Sequence, residues 1–124
     1  MARQSRPALR AAVHALEQRK AALLADVLRE EEFVVGTVSE IQARCGKPGC
    51  HCTRGVGHPQ MRLLSTAAGR RRCQLIRQAD TDRLRRAGAR YRHLRAALRA
   101  LAALHARELR LLRALVRQGG LRYR

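Results

Sequence analysis

The sequence predicts an α+β fold. It has an N-terminal helix, a small antiparallel sheet with a zinc knuckle, and a long C-terminal helix, the helices forming a helical hairpin or coiled-coil pair. Three observations predict this. Apolar residues recur at helical spacing over residues 5–32 and again over 80–118. β-prone stretches occupy part of 33–78. Three cysteines and two histidines crowd into 45–58. At 124 residues the chain fits a single domain, 1–124, made of those three parts. So short a chain buries a limited share of its surface, and helix pairing, a metal or a second subunit would each help it.

The first helix is expected to start at Ser5-Arg6-Pro7, with Ser5 as the cap and Pro7 in the first turn. Leu9, Val13, Leu16, Leu23, Val27 and Leu28 then fall on one face, which Leu24 broadens. Glu30-Glu31-Glu32 marks the expected last turn. Acids there oppose the helix dipole, which points to a basic neighbour or to plain solvation. A strand is expected within 33–43, with Gly36 as a bulge or bend. Residues 61–65 read as a second strand, 67–70 as a turn and 72–77 as a third strand.

The second helix is expected to start at Asp80-Thr81-Asp82, capped by Asp80 or Thr81, and to stop at Gly119-Gly120. Gly88 is its one weak point. At ~1.5 Å per residue it would be on the order of 55 Å long. Leu84, Tyr91, Leu98, His105 and Leu112 form a heptad-like series, interleaved with Ala87, Leu94, Leu101 and Leu115. Leu104, Leu109 and Leu111 widen the stripe near the end. A seam of that length needs a partner. The N-terminal helix would cover part of it, antiparallel, and the remainder predicts a homodimer.

The sharpest signal is the loop from Cys45 to His58. Cys45, Cys50 and Cys52 supply three soft donors within eight residues, and Gly46, Pro48 and Gly49 let the chain fold back around an ion. Lys47 and Arg54 would offset the thiolate charge. His58 is a reachable fourth ligand for Zn2+. His51 and Cys73 are rivals, although His51 lies between two ligands and should point away. A catalytic Cys–His pair would need an orienting group and an oxyanion site. A catalytic zinc would need an open position and usually a nearby carboxylate. No carboxylate lies between Glu40 and Asp80, so a structural zinc and a non-enzymatic chain are expected.

Charge supplies the functional expectation. The chain has 27 basic and 9 acidic residues, a net +18. Ten basic and six acidic residues precede Gly69 and 17 basic and three acidic follow it, so the halves carry +4 and +14. Such a field attracts polyanions. Two surfaces are expected to bind nucleic acid, DNA or RNA. The first comprises Lys47, Arg54, the turn Arg70-Arg71-Arg72 and Arg77. The second is the helix stripe of Arg83, Arg85, Arg86, Arg90, Arg92, Arg95 and Arg99, continued by Arg107, Arg110, Arg113 and Arg117. Only Glu108 is acidic between Arg83 and Gly119, whereas a merely solvated helix mixes signs. Phe33, Tyr91 and Tyr123 are the only aromatics, too few for a base-stacking platform. The second function class is a helical interaction or adaptor subunit of a recombinase or ribonucleoprotein complex.

No segment reaches the ~20 apolar residues of a transmembrane helix. Residues 1–20 lack the apolar core of a signal peptide. A cytoplasmic, reducing location is therefore expected, in which the cysteines serve as thiolates.

Gly36, Thr37, Val38, Glu40, Cys45, Gly46, Lys47, Pro48, Cys50, Cys52, Gly55 and His58, set between two helices, carry a resemblance. The chain resembles a family of small uncharacterised prokaryotic proteins, a domain of unknown function with a Cys-Gly-Lys-Pro knuckle. The match is specific over 36–58 and looser over 61–117. The resemblance implies a zinc-ribbon-like element, a link with mobile genetic elements, and His58 over His51 as the fourth ligand; it implies no established reaction. The chain departs from the family after His58, where Pro59-Gln60-Met61-Arg62-Leu63-Leu64 replaces Gly-Pro and an aromatic run.

Overall fold

A computed structural model describes residues 3–124. Its order is α1 (Arg6–Leu28), β1 (Thr37–Ala43), β2 (His58–Ala67), β3 (Arg70–Leu75) and α2 (Thr81–Gly119), with 3-10 turns at His51–Thr53 and Gln78–Asp80. The fold is α+β, as the sequence predicts. The chain divides into two compact units. One holds the residues up to Glu30 together with Leu94–Arg124, and the other is Glu31–His93.

In the helical unit, α1 starts where expected. The Ser5 side chain accepts from the Ala8 N–H at 3.3 Å, and Pro stands in the first turn. Leu9 and Leu16 are buried, while Leu24 and Leu28 are half or more exposed. α1 runs antiparallel to the C-terminal part of α2. Near the start of α1, Arg6 Nη1 donates to the Leu115 carbonyl at 3.1 Å, and Gln118 donates to the Gln4 carbonyl at 3.0 Å. Further along, Lys20 Nζ donates to both oxygens of Glu108 at 3.3 Å.

The covered stripe of α2 differs from the series chosen in the sequence. In this unit Leu94, Ala97, Leu101, Leu104, Glu108, Leu111 and Leu115 are buried or half-buried. Leu98, His105 and Leu112 are exposed. The interleaved Ala87, Leu94, Leu101 and Leu115 row was the one that packs. Its companion row contains Ala97 and Leu104, and Glu108 takes the place between Leu101 and Leu115. A search for large apolar residues passes over a carboxylate, and Glu108 is 7% exposed because Lys20 neutralises it.

In the sheet unit the strands are antiparallel in the order β1-β2-β3, with β2 central. Register puts Val38 beside Leu63 and Glu40 beside Met61. That face meets the first turns of α2. A Cβ on Gly88 would lie 3.2 Å from Val38 Cγ2, so the missing side chain lets the helix approach the strand. Arg85 Nη2 lies 3.6 Å from Met61 Sδ. The Val34 N–H donates to the Ala87 carbonyl at 3.2 Å, and Phe33 stacks on Tyr91 with centroids 6.3 Å apart. Ile76 is buried, and its N–H donates to the Met61 carbonyl at 2.8 Å, closing the sheet past β3.

The acidic run is not the last turn of a helix. α1 ends at Leu28, where the Arg29 N–H donates to the Asp26 carbonyl. Three carboxylates at a helix C-terminus repel its dipole and one another. Outside the helix two of them reach cations instead. Glu32 lies 2.7 Å from Arg83 Nε and Glu31 lies 3.5 Å from Arg90 Nε. A 3-10 turn precedes α2, and the Thr81 hydroxyl donates back to the Arg77 carbonyl at 3.3 Å.

Candidate metal centre and basic surface

The loop between β1 and β2 returns the chain to its starting point. Ala43 pairs with His58, so the strands bring Cys45 and His58 to one end of the sheet. Gly46 and Gly49 take φ of +77° and +81°, which tightens the turn between Cys45 and Cys50. The Cys50 N–H donates to the Lys47 carbonyl at 3.3 Å, and the turn His51–Thr53 carries Cys52 inward. At Gly57 a Cβ would meet the Ala43 backbone at 2.9 Å, so only glycine lets the loop close there.

One donor atom from each of Cys45, Cys50, Cys52 and His58 lies within 4.8 Å of all the others. Cys45 Sγ is 3.5 Å from Cys52 Sγ, and Cys50 Sγ is 3.1 Å from His58 Nε2. The edges of a tetrahedral S/N site are about 3.5–3.8 Å, given metal–ligand bonds of about 2.0–2.3 Å. The donor set therefore fits a four-coordinate metal. The Cys45 N–H points at Cys52 Sγ at 3.5 Å, and Cys52 is fully buried. His51 is exposed and stacks edge-on against His58, with centroids 4.9 Å apart. Cys73 lies on the exposed edge strand, where its Sγ accepts from Arg62 Nη1 at 3.5 Å. Among the described residues, His58 alone of the three rivals joins the cluster.

The family described as a domain of unknown function, DUF6788, matches residues 12–86, more than half of the chain. The chain belongs to the DUF6788 family. No curated protein and no solved structure gives a significant match. The DUF6788 segment takes in most of α1, the knuckle, the whole sheet and the start of α2.

Within that segment the basic residues named from the sequence fall in three places. Lys47 and Arg54 are exposed on the knuckle loop. Arg54 and His51 line a shallow depression beside Cys50, floored by Gln42 and Pro59. Those two floor residues, a β1–β2 pair, were not singled out in the sequence because a depression formed by pairing has no linear signature. Arg70, Arg71 and Arg72 sit on a two-stranded extension. β1 pairs only as far as Leu64, whereas β2 and β3 continue through Ser65–Arg72, Thr66–Arg71 and Ala67–Arg70. Alternation along a strand places Arg70 and Arg72 on one face of this ribbon and Arg71 on the other. All three are exposed, as is Arg77, and no ion pair among the described residues engages them.

On α2, Arg83, Arg85, Arg86 and Arg92 are exposed in the sheet unit, and Arg95 and Arg99 in the helical unit. Arg90 is a correction to the stripe. It is 5% exposed and paired with Glu31, so it belongs to the interior of the sheet unit. Arg83 meets Glu32. The misplaced acids point to a basic neighbour, but spacing along the chain does not name it, because the partners lie more than 50 residues away. No described helix is long and apolar enough to cross a membrane.

Proposed function

We propose that this chain is a non-enzymatic nucleic-acid-binding accessory protein, in which a zinc ion closes the knuckle at one end of the sheet and the arginines of the β2–β3 hairpin at the other end hold phosphates. The observation that carries this reading is the β2–β3 ribbon. It extends past β1 with arginines on both faces, and its other residues are small: Ser65, Thr66, Ala67, Ala68 and Gly69. A thin, cationic ribbon without carboxylates suits contact with a phosphate backbone. Arg54 and Lys47 add a second cationic patch at the knuckle, at the opposite end of β2. Phe33 and Tyr91 are stacked on each other, which favours phosphate and groove contacts over base stacking.

Zinc is the metal proposed because three thiolates and an imidazole in a compact tetrahedral set suit it. With four protein donors the site is closed, and its role is structural. The knuckle residues hold the end of β1 against the start of β2 and keep the loop cations in place. Residues 41–79 contain no carboxylate to act as a general base, which supports a binding role.

The test is fluorescence anisotropy with a labelled duplex DNA and a matched RNA over a salt series. Binding is expected to fall with salt, because each phosphate engaged releases condensed counterions, at a slope of about 0.9 per phosphate for B-DNA. The triple variant Arg70→Ala, Arg71→Ala, Arg72→Ala should reduce that slope by roughly two to three. Flat salt dependence, or a triple variant that binds like the parent, would sink the reading.

A further inference from the structure

We propose that the C-terminal part of α2 carries a second seam that binds an acidic amphipathic helix of a partner protein. Beside the stripe that packs on α1, Leu98, Ala102, His105, Leu109, Leu112 and Val116 repeat the alternating four- and three-residue spacing of a coiled-coil seam. Leu98, Leu109, Leu112 and Val116 are 55%, 37%, 38% and 75% exposed. Single exposed leucines are ordinary, but a periodic row of them marks a contact surface. Leu109, Leu112 and Val116 form an open groove that Arg113 and Arg117 border.

The charge beside the row selects the occupant. At 100° per residue, Arg95, Arg99, Arg110, Arg113 and Arg117 all fall along its outer flank, and all are exposed. The one acid of α2 in this stretch, Glu108, is buried under Lys20 and offers the flank nothing. A second copy of the chain packed antiparallel would set arginine row beside arginine row, and like charges at such flanking positions oppose that pairing. An acidic helix reverses that sign and matches guanidinium to carboxylate along the whole row. Helices that lie on anionic membranes carry Trp and Phe as well as Leu on the apolar face. Residues 98–116 contain no Trp or Phe. The row is also narrow and regular, with the small Ala102 and the polar His105 within it, which fits another helix better than a lipid surface.

The experiment is calorimetric titration of the full chain with three synthetic helices of about four heptads. One has a leucine seam and glutamate flanks, one a leucine seam and lysine flanks, and one a serine seam and glutamate flanks. The leucine–glutamate helix is expected to bind and the other two to bind at least about tenfold more weakly. Leu112→Ser with Val116→Ser should weaken its binding by a similar factor, and both sites are exposed enough to leave the fold intact, checked by circular dichroism. Arg113→Gln with Arg117→Gln should weaken it and flatten its salt dependence. Equal binding of the serine-seam helix would reduce the effect to charge and overturn the proposal. So would seam variants that bind as well as the parent, or a homodimer that the seam variants dissociate. Seam-dependent binding to phosphatidylserine vesicles without peptide binding would also overturn it. None of these outcomes touches the nucleic-acid reading, which rests on the ribbon and knuckle.

Discussion

At the scale of single residues, the candidate site depends on which side chains can converge. His58 stands at the first position of β2, opposite Ala43, so strand pairing aims it at Cys50. His51 lies between two of the cysteines and is exposed. His58→Ala is therefore expected to lower zinc affinity by on the order of a hundredfold or more, measured by competition with a chromogenic chelator. His51→Ala should leave it nearly unchanged, and equal losses in both would show the wrong imidazole was chosen. Gly57→Ala should act like a ligand loss without removing a donor, because its Cβ collides with the Ala43 backbone. The pair Lys20–Glu108 makes a separate case. Lys20 is about a quarter exposed and Glu108 almost covered, so removing the cation strands a covered carboxylate. Lys20→Ala should cost about 1–2 kcal/mol, discounted from the fully buried case for solvent at Lys20. Lys20→Ala with Glu108→Leu should recover much of it in chemical denaturation.

At the scale of elements, much was legible in the sequence. Ser5 and Pro7 set the start of α1, Gly119 the end of α2, and the turn at Ala68-Gly69 the hairpin. These are local events, decided by capping and backbone preference. The seam of α2 was not fully legible. The Leu84–Leu112 series is as regular as the row that packs, and periodicity alone does not say which row meets α1. Arg90 and Glu108 occupy covered positions only because Glu31 and Lys20 neutralise them. Gly88 was read as a weak point, and its role instead is contact. Gly88→Leu should push α2 from Val38 and destabilise the sheet unit by roughly 1–3 kcal/mol, the range of overpacked cores. Hydrogen exchange at β1 amides is the direct readout, and unchanged protection would mean the helix approach is looser than 3.2 Å implies.

For the whole molecule, the division into a helical unit and a sheet unit sets how stability should respond to metal. The sheet unit has few fully buried side chains, and Cys52 of the knuckle is the most buried among them. A small core of this kind would gain most from the proposed metal, since metal binding contributes on the order of 10 kcal/mol to the folding of such loops. Chelation should therefore release protection in 37–67 while most helical circular dichroism remains, since α1 and α2 together span 23 and 39 residues. Loss of all helical signal on chelation would count against this division of labour.

The sequence by itself determined the α+β class, the helix start at Ser5 and stop at Gly119, the hairpin, the Cys3His donor set and the sign of the field. These follow from local backbone chemistry, donor chemistry and charge, all of which are additive along a chain. Tertiary structure alone decided which row of α2 is covered, that Arg90 lies inside, and where Glu31 and Glu32 go. Each is a contact between residues distant in sequence or fixed by strand register, and one-dimensional spacing holds no information about which distant partner arrives.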